Sequence, residues 1–343
     1  CAYVPGDVVR GVVLIPENDL ATLLEGDTVI DGVVGLARIA DEGDLIGSDT
    51  ELLRYLLPGG LKEPSELRTV VERAITIDVR RQLVDALSDG GRAALERLIL
   101  SLADSKRLMG IRYSDWILGS PSVETGIATS SMTQDEWGHA RLLYAMLKQL
   151  DIDPVPIEHD RTAEAYANLS ALDEPFEDWA ALVASMVIVD GALSVALDAF
   201  SEGAFAPARQ RVPKMLAEER FHVSLGVAWF RRLAAASEEA RALLRAATDR
   251  QLPAALVWLA ADDESSRELV ELGVMPPPES LTTAFRASVR DVLAEGDADV
   301  NAYFDAAGPA SDWDSTRGRA PGQPDADSVD RARGAKNRAL FVE

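Results

Sequence analysis

Apolar residues in the central part of the chain recur at three- to six-residue steps, and the polar positions fall between them. Leu95, Leu98, Leu102 and Leu108 show this spacing. Residues three or four apart lie on one face of an α-helix, so the pattern predicts a helix over Arg92–Leu118.

Glycine and proline clusters divide the rest of the central pattern into further helical segments. The predicted helices are 65–87, 92–118, 123–150, 177–201, 208–235, 238–261 and 279–293, with a short one at 162–169. Pro253 is expected to bend or break the helix 238–261. Asp151–Glu158 and Asp173–Phe176 are predicted to be loops. The sequence therefore predicts an all-α fold in which several long helices form a bundle.

The two ends of the chain lack this pattern. Residues 1–62 include the β-like run Val8–Ile15 and are predicted to be an N-terminal extension of mixed structure that packs on the helices. Residues 63–296 are predicted to form the helical domain. Residues 297–343 mix Gly, Pro, Asp and Arg without a pattern. They are predicted to be an irregular or partly disordered tail that lies over the bundle or reaches a partner.

Composition narrows the classes of partner. The net charge of −23 argues against nucleic acid, because phosphates would be repelled. No apolar run is judged long enough for a membrane span of about 20 residues. Cys1 is the single cysteine, so no internal disulfide can form and a reducing cytoplasm is expected. A mature lipoprotein also begins with Cys, but the rest of the chain favours the cytoplasm.

Two short stretches place a glutamate three residues before a histidine: Glu136 with His139, and Glu219 with His222. Residues three apart share a helix face, so each pair can close on one metal ion. Two such pairs, with one further carboxylate from each of two other helices, form the dinuclear site of four-helix bundles. The chain has only three histidines. The third, His159, follows a proline-containing loop and is assigned no role.

Asp190 is the candidate for one of the two further carboxylates. It precedes Glu219 by 219 − 190 = 29 residues, about one antiparallel helix hairpin, and it lies inside the apolar stretch Met186–Leu193. Burying a carboxylate there is costly unless it is paired or binds a metal. Together with the two motifs, Asp190 favours a metal-binding or vestigial metal site over coincidental surface pairs.

The corresponding position on the other hairpin is a lysine. Counting back 136 − 106 = 30 residues from Glu136 gives Lys106, and a protonated ammonium cannot bind a metal. Asp104 is the nearest acid and could substitute if the helix shifts. Alternatively Lys106 faces Glu136 and the site holds fewer ligands, or Lys106 replaces a metal by its charge. Glu124 lies too near the turn to be preferred.

The chain resembles the ferritin-like subunits of phenylacetyl-CoA epoxidase over roughly Ala94–Leu233, and more loosely on to Leu293. The stretches that carry the resemblance are Leu102-Ala103-Asp104-Ser105, Ser114-Asp115-Trp116, Gln134 to Tyr144, Val189-Asp190-Gly191-Ala192 and Glu218-Glu219-Arg220-Phe221-His222. The resemblance implies a ferritin-like four-helix bundle with additional helices.

That family has two related subunits. The catalytic one binds two irons and activates O₂ to epoxidise the aromatic ring of a CoA thioester; the other keeps the fold without the full ligand set and supports assembly. Residues of this chain that match the catalytic subunit's ligands are Glu136, His139, Asp190, Glu219 and His222. Lys106 stands where the first ligand glutamate is expected, and the residues around it are closer to the non-catalytic subunit.

The resemblance also implies cofactors and partners. Two iron ions are expected, with manganese or a mixed site as alternatives and fewer ions if Lys106 blocks one position. A related ferritin-like subunit and an oligomer are expected from the resemblance. A separate reductase is expected as well, because no nucleotide-binding glycine motif is visible in this chain. The phosphates of a CoA thioester would need cations. The candidates are Arg209, Arg211 and Lys214, or Arg231 and Arg232, although exposed helix charges often have no ligand.

Three functions remain open from the sequence. The leading hypothesis is a subunit of a carboxylate-bridged di-iron monooxygenase system that acts on an acyl-CoA or related substrate. The second is a structural subunit with a vestigial site filled by Lys106. The third is a stand-alone di-metal oxidase of a biosynthetic pathway. Lys106 discriminates the first two, and co-purifying subunits would argue against the third.

Overall fold

The computed structural model describes residues 84, 87–308 and 310–334. Within them lie ten α-helices: α1 Asp89–Asp115, α2 Val123–Tyr144, α3 Pro154–His159, α4 Trp179–Glu202, α5 Ala206–Ala234, α6 Glu238–Leu259, α7 Glu264–Glu271, α8 Pro278–Ala294, α9 Val300–Asp305 and α10 Ala326–Ala332. Short 3₁₀ helices span Ala145–Leu150, Ala163–Ala165 and Ser170–Leu172. The described residues contain no β-strand, so the all-α prediction is confirmed. The predicted N-terminal extension 1–62 and most of the predicted helix 65–87 lie outside the described residues.

Two helix hairpins form the bundle that carries the candidate site. Helix α1 packs along α2, and α4 packs along α5. The hairpins meet through contacts of α1 with α4 and of α2 with α5. Helices α6 and α8 cover α4, while α7 and α10 cover α1. This arrangement is consistent with the predicted ferritin-like bundle with additional helices.

Polar caps fix where the bundle helices begin. Ser88 at α1, Ser122 at α2 and Asp178 at α4 each accept a hydrogen bond from the backbone N–H three residues later, at 2.9, 3.2 and 2.8 Å. Such caps satisfy backbone donors that have no partner within the helix. The starts at residues 89, 123 and 179 therefore follow from local sequence, and each differs from its predicted position by three residues or fewer.

Helix α4 is the apolar centre of the bundle. It is the one described helix that is long and apolar enough to cross a membrane, with an 18-residue window of mean hydropathy 2.1. The sequence analysis predicted no apolar run of this length, because Asp190 interrupts the apolar stretch of α4. In the fold 83% of that window is buried inside the protein, as expected for a core helix.

Several local predictions are wrong. The predicted loop 151–158 contains α3, which starts because Asp153 accepts from the Val155 N–H and Pro154 occupies the first turn, where proline is tolerated. Of the two effects expected of Pro253, a break does not occur, because α6 continues past it to Leu259, close to the predicted end at residue 261. The predicted helix 162–169 is only a 3₁₀ turn, Ala163–Ala165. Helix α7 was not predicted.

The described part of the C-terminal segment, predicted as an irregular tail, includes the short helices α9 and α10. Arginines attach it to the bundle. Buried Arg112 on α1 donates to Ser328 Oγ at 2.6 Å and to Asp325 at 3.0 Å. Buried Arg319 donates to Asn168 Oδ1 at 2.7 Å and pairs with Asp173. These contacts join residues far apart in sequence, so no local sequence pattern predicts them.

Replacing Gly226 by alanine is expected to destabilise the fold by about 1–3 kcal/mol, as an overpacked core does. A Cβ on Gly226 of α5 would lie 2.7 Å from Met186 Cβ and 3.4 Å from the Met186 carbonyl carbon on α4. Gly138 on α2 is the matched control, since a Cβ there meets nothing within 4 Å. Gly138→Ala should gain up to about 1 kcal/mol through helix propensity. Urea unfolding of both variants measures the difference; equal effects would contradict this packing account.

Candidate metal centre

Four helices bring six ionisable side chains together in the bundle. All six are buried, with exposed fractions of 2% or less: Lys106 on α1, Glu136 and His139 on α2, Asp190 on α4, and Glu219 and His222 on α5. The spacing that placed Glu and His on one helix face, and Asp190 and Lys106 about one hairpin upstream, thus holds in three dimensions.

The ammonium of Lys106 lies at the centre of three carboxylates. Its Nζ atom is 2.5 Å from Glu219 Oε1, 2.6 Å from Asp190 Oδ1 and 3.1 Å from Glu136 Oε1. An ammonium has three N–H donors, and here each of them has a carboxylate acceptor. Lys106 therefore links α1 to α2, α4 and α5 through charge-assisted hydrogen bonds.

The histidines face the same carboxylates. His222 Nδ1 lies 3.2 Å from Glu136 Oε1 and 3.3 Å from both Asp190 Oδ2 and Glu219 Oε2. One donor atom from each of Glu136, Asp190, Glu219 and His222 lies within 4.8 Å of the others, so this buried cluster could hold a metal ion.

Two polar atoms at the cluster lack a hydrogen bond within the described structure. Glu136 Oε2 and His139 Nδ1 are both buried without one. His139 Nδ1 is 3.0 Å from Glu219 Oε1, but not in hydrogen-bond geometry. Atoms of this kind are the ones a further bound group would satisfy.

Each histidine is also held by an acid from the opposite motif. His139 Nε2 lies 2.8 Å from Glu218 Oε2, and His222 Nε2 lies 3.4 Å from Asp135 Oδ2. Asp135 and Glu218 directly precede the glutamates of the two motifs, so the contacts between α2 and α5 are reciprocal. Such partners fix the ring orientation and the tautomer of a histidine. The sequence analysis missed both, although an acid before each motif glutamate was the available signal.

Tyr113 is a further missed member of the site. Its hydroxyl donates to Asp190 Oδ2 at 2.9 Å, and its ring meets the His222 ring edge-on with centroids 5.9 Å apart. Tyr113 follows Lys106 by seven residues, or two helical turns, and so lies on the same face of α1. With Lys106 on Oδ1 and Tyr113 on Oδ2, both oxygens of Asp190 accept hydrogen bonds.

The charges of the cluster balance one another. Burial alone would lower the pKa of Lys106, but Asp190, Glu136 and Glu219 together raise it well above its usual value. His222 behaves in the same way: its pKa is raised despite burial, through its bonds to Asp190, Glu136 and Glu219. The pKa of Glu219 is well below its usual value, because Lys106 and both histidines outweigh the effect of burial. Two buried cations thus offset the carboxylates.

The pKa of Glu136 shifts in the opposite direction from that of Glu219. Burial and the charge of Asp190 raise its pKa from 4.5 to about 7, against the opposing effect of Lys106. Glu136 therefore changes charge near neutral pH.

This shift predicts a pH dependence of stability that Glu136→Gln removes. A raised pKa in the folded state gives stability that is fully present below pH 4.5 and is lost as the pH rises through 7. We expect the unfolding free energy of the wild type, relative to Glu136→Gln, to fall by about 2 kcal/mol between about pH 5 and pH 8. Urea unfolding at matched pH values measures it, and a difference that stays flat or rises would contradict the raised pKa.

Asp104 is not brought to the cluster. Its carboxylate pairs with Arg161 and accepts from the Tyr144 hydroxyl and, at 2.8 Å, from the Ala167 N–H. Two residues before Lys106 correspond to a rotation of about 200° around the helix, so Asp104 points to the opposite side of α1. A shift of the helix would have to break this buried network before Asp104 could replace the missing ligand.

The cationic residues named for CoA phosphates lie on the outside of α5. Arg209 donates to the Gly203 carbonyl at 2.6 Å, Arg211 to the Leu142 carbonyl at 3.4 Å, and Lys214 lies 3.8 Å from Glu218. Arg231 pairs with Glu295, and Arg232 stacks on Trp229. They carry no contact to the cluster except through Glu218. His159 and Glu124 also lie away from it, at the end of α3 and in the first turn of α2.

Comparison with known proteins agrees with the motifs and the fold. A search of curated proteins finds no match. The family model of phenylacetic acid catabolic proteins matches residues 82–320. The match covers more than half of the chain, including both hairpins and all six cluster residues. The chain belongs to the family of phenylacetic acid catabolic proteins.

Proposed function

We propose that this chain is a ferritin-like subunit of a multicomponent, di-iron-type oxygenase system of phenylacetate catabolism, and that Lys106 stands in for metal within its own cluster. The observation that carries the proposal is the position of the Lys106 ammonium, within 3.1 Å of all three cluster carboxylates. The chain would then contribute structure and assembly, and a related subunit would contribute oxygen chemistry.

The donor set does not fit a pair of metal ions. A dinuclear site of this kind uses four carboxylates and two histidines, whereas the cluster has three carboxylates, two histidines and a buried ammonium. A protonated lysine donates hydrogen bonds and repels a nearby cation. The substitute that the sequence allowed, Asp104, is held on the other side of α1.

A single metal ion, unlike a pair, could be held by the donor atoms of the cluster. Glu136, Asp190, Glu219 and His222 offer four donor atoms within 4.8 Å of one another, which supports a second candidate function. In that case Lys106 would move aside, and the chain itself would take part in O₂ activation. Metal bound there would supply a redox centre for oxygen. Glu136, Asp190, Glu219 and His222 would hold the ion, and Asp135 and Glu218 would orient the histidine rings.

Partners and substrate follow from the family and stay proposals. The system would include a related ferritin-like subunit, a separate reductase and an acyl-CoA substrate such as a phenylacetyl thioester. Arg209, Arg211 and Lys214 form a positive stretch at the start of α5, and the exposure of Arg209 and Lys214 supports contact with an anionic group. The hypothesis of a stand-alone oxidase predicts that no other subunit accompanies the chain when the protein is isolated from its native cells.

Reconstitution with the partner subunits tests the role of the cluster. We expect the double variant His139→Ala and His222→Ala to retain most of the turnover of the assembled system. The variant's secondary structure and its ability to assemble are checked first, since both histidines are buried. Turnover reduced by a hundredfold or more in a correctly assembled complex would show that this chain performs the chemistry, and would favour the second candidate.

A further inference from the structure

A cleft on the outside of the α1–α2 hairpin lies apart from the buried cluster. Its volume is about 580 Å³, and it opens between the second half of α2, the following 3₁₀ turn and α3. Side chains that line it include Arg107, Trp137, Arg141, Tyr144, Lys148 and Glu158. The volume falls in the range of about 300–1,000 Å³ typical of small-molecule sites.

The cleft is positively charged in a strongly acidic protein. Arg107 at the inner side of the cleft forms an ion pair with Glu158 Oε1 at 3.2 Å and donates to the Ala332 carbonyl. The charges of Arg107 and Glu158 therefore cancel. Arg141 and Lys148 are both exposed, and neither forms an ion pair with a carboxylate of the described residues. Two uncompensated cations therefore face one cavity, while the whole chain carries a net charge of −23.

An aromatic surface stands beside these cations. The Trp137 ring packs over Gly110 of α1, where a Cβ would come within 2.5 Å of it, so only glycine leaves room for the ring. The ring is held in place yet remains 37% exposed. The next residue, Gly138, adds no side chain, and space for 4 Å around its Cβ position is empty. The buried Tyr144 completes the inner wall.

We propose that this cleft binds a small phosphorylated compound with a planar ring, of the nucleoside diphosphate class. Arg141 and Lys148 supply charge-assisted hydrogen bonds to the phosphates, and Trp137 stacks on the ring. A simple anion would leave most of the 580 Å³ and the tryptophan unused. The site is separate from Lys106 and its carboxylates, so it stands whichever function the cluster has.

Calorimetric titration of the purified chain with ADP, pyrophosphate and adenosine tests the proposal. We expect ADP to bind more tightly than either fragment. The double variant Arg141→Gln and Lys148→Gln should weaken ADP binding about tenfold or more, because the charge-assisted hydrogen bonds of both cations to the phosphates are lost. Trp137→Leu should weaken ADP binding and leave pyrophosphate binding nearly unchanged. Arg241→Gln with Arg245→Gln, two exposed arginines on α6, is the matched control and should have no effect.

The side chains replaced in these variants are exposed and polar, apart from Trp137, so we expect the variants to fold. Melting curves of the variants check this. The absence of saturable ADP binding would overturn the proposal, and so would equal weakening by the control pair. Binding of a glutamate-rich peptide in place of ADP, abolished by the Arg141 and Lys148 changes, would also overturn it, because the cleft would then be a docking site for an acidic protein segment.

Discussion

Replacing Lys106 by methionine is expected to lower the free energy of unfolding by about 3–5 kcal/mol, the cost of removing one partner from a buried ion pair. Methionine fills a similar volume but leaves the carboxylates of Glu136, Asp190 and Glu219 without the ammonium they share. The loss should be larger at pH 8 than at pH 6. Without the ammonium the carboxylates hold protons more tightly in the folded state, and that stability disappears as the pH rises.

Urea unfolding in the presence of a chelator measures this effect. Lys148→Met is the matched control, because that lysine is exposed on the turn after α2, and its replacement should cost less than about 0.5 kcal/mol. If Lys106→Met were as stable as the control at both pH values, the ammonium would not be what holds the cluster together.

Replacing Lys106 by glutamate is expected to turn the cluster into a metal-dependent site. The variant supplies the fourth carboxylate of a dinuclear centre and removes the competing cation. Without metal, four buried acids repel one another, and the fold should be at least as unstable as Lys106→Met. With metal at a hundred times its dissociation constant, binding to the folded state alone returns about 2.7 kcal/mol.

Melting curves with and without manganese, which avoids oxygen chemistry, show the effect. We expect the melting temperature of Lys106→Glu to rise by about 5–10 °C with metal, from the usual relation between stability and melting temperature. The wild type and Lys106→Gln, which is neutral and adds no carboxylate, should respond by less than about 2 °C. A wild-type response as large as that of Lys106→Glu would mean that Lys106 does not compete with metal.

Sequence spacing predicts which side chains share a helix face at the centre of this site, because their positions depend on local helix geometry. Glu136 and His139 share a face at three residues, and so do Glu219 and His222. The hairpin spacing led to Asp190 and to position 106, and in the structure both side chains reach the cluster. Of the three alternatives for Lys106, the structure favours those in which it faces Glu136, since Asp104 points to the far side of α1.

Features that depend on long-range contacts could not be predicted from the sequence spacing. The partners of Arg112 and Arg319 lie in the C-terminal segment or the loop before α4, so composition alone made residues 297–343 look irregular. Pro154 and Pro156 were interpreted as loop residues, although a proline after a capping aspartate also starts a helix. The cross-helix bonds of Asp135 and Glu218 needed the packing of α2 on α5 before their role was visible.

The central claim is that Lys106 takes the place of metal in this chain, and metal content per chain tests it most directly. Wild-type protein expressed with added iron, purified without chelator and analysed by mass spectrometry should contain well under one iron or manganese per chain. About one ion per chain would indicate a reduced site beside a displaced Lys106. Close to two per chain would contradict the account and would make this chain an oxygen-activating subunit.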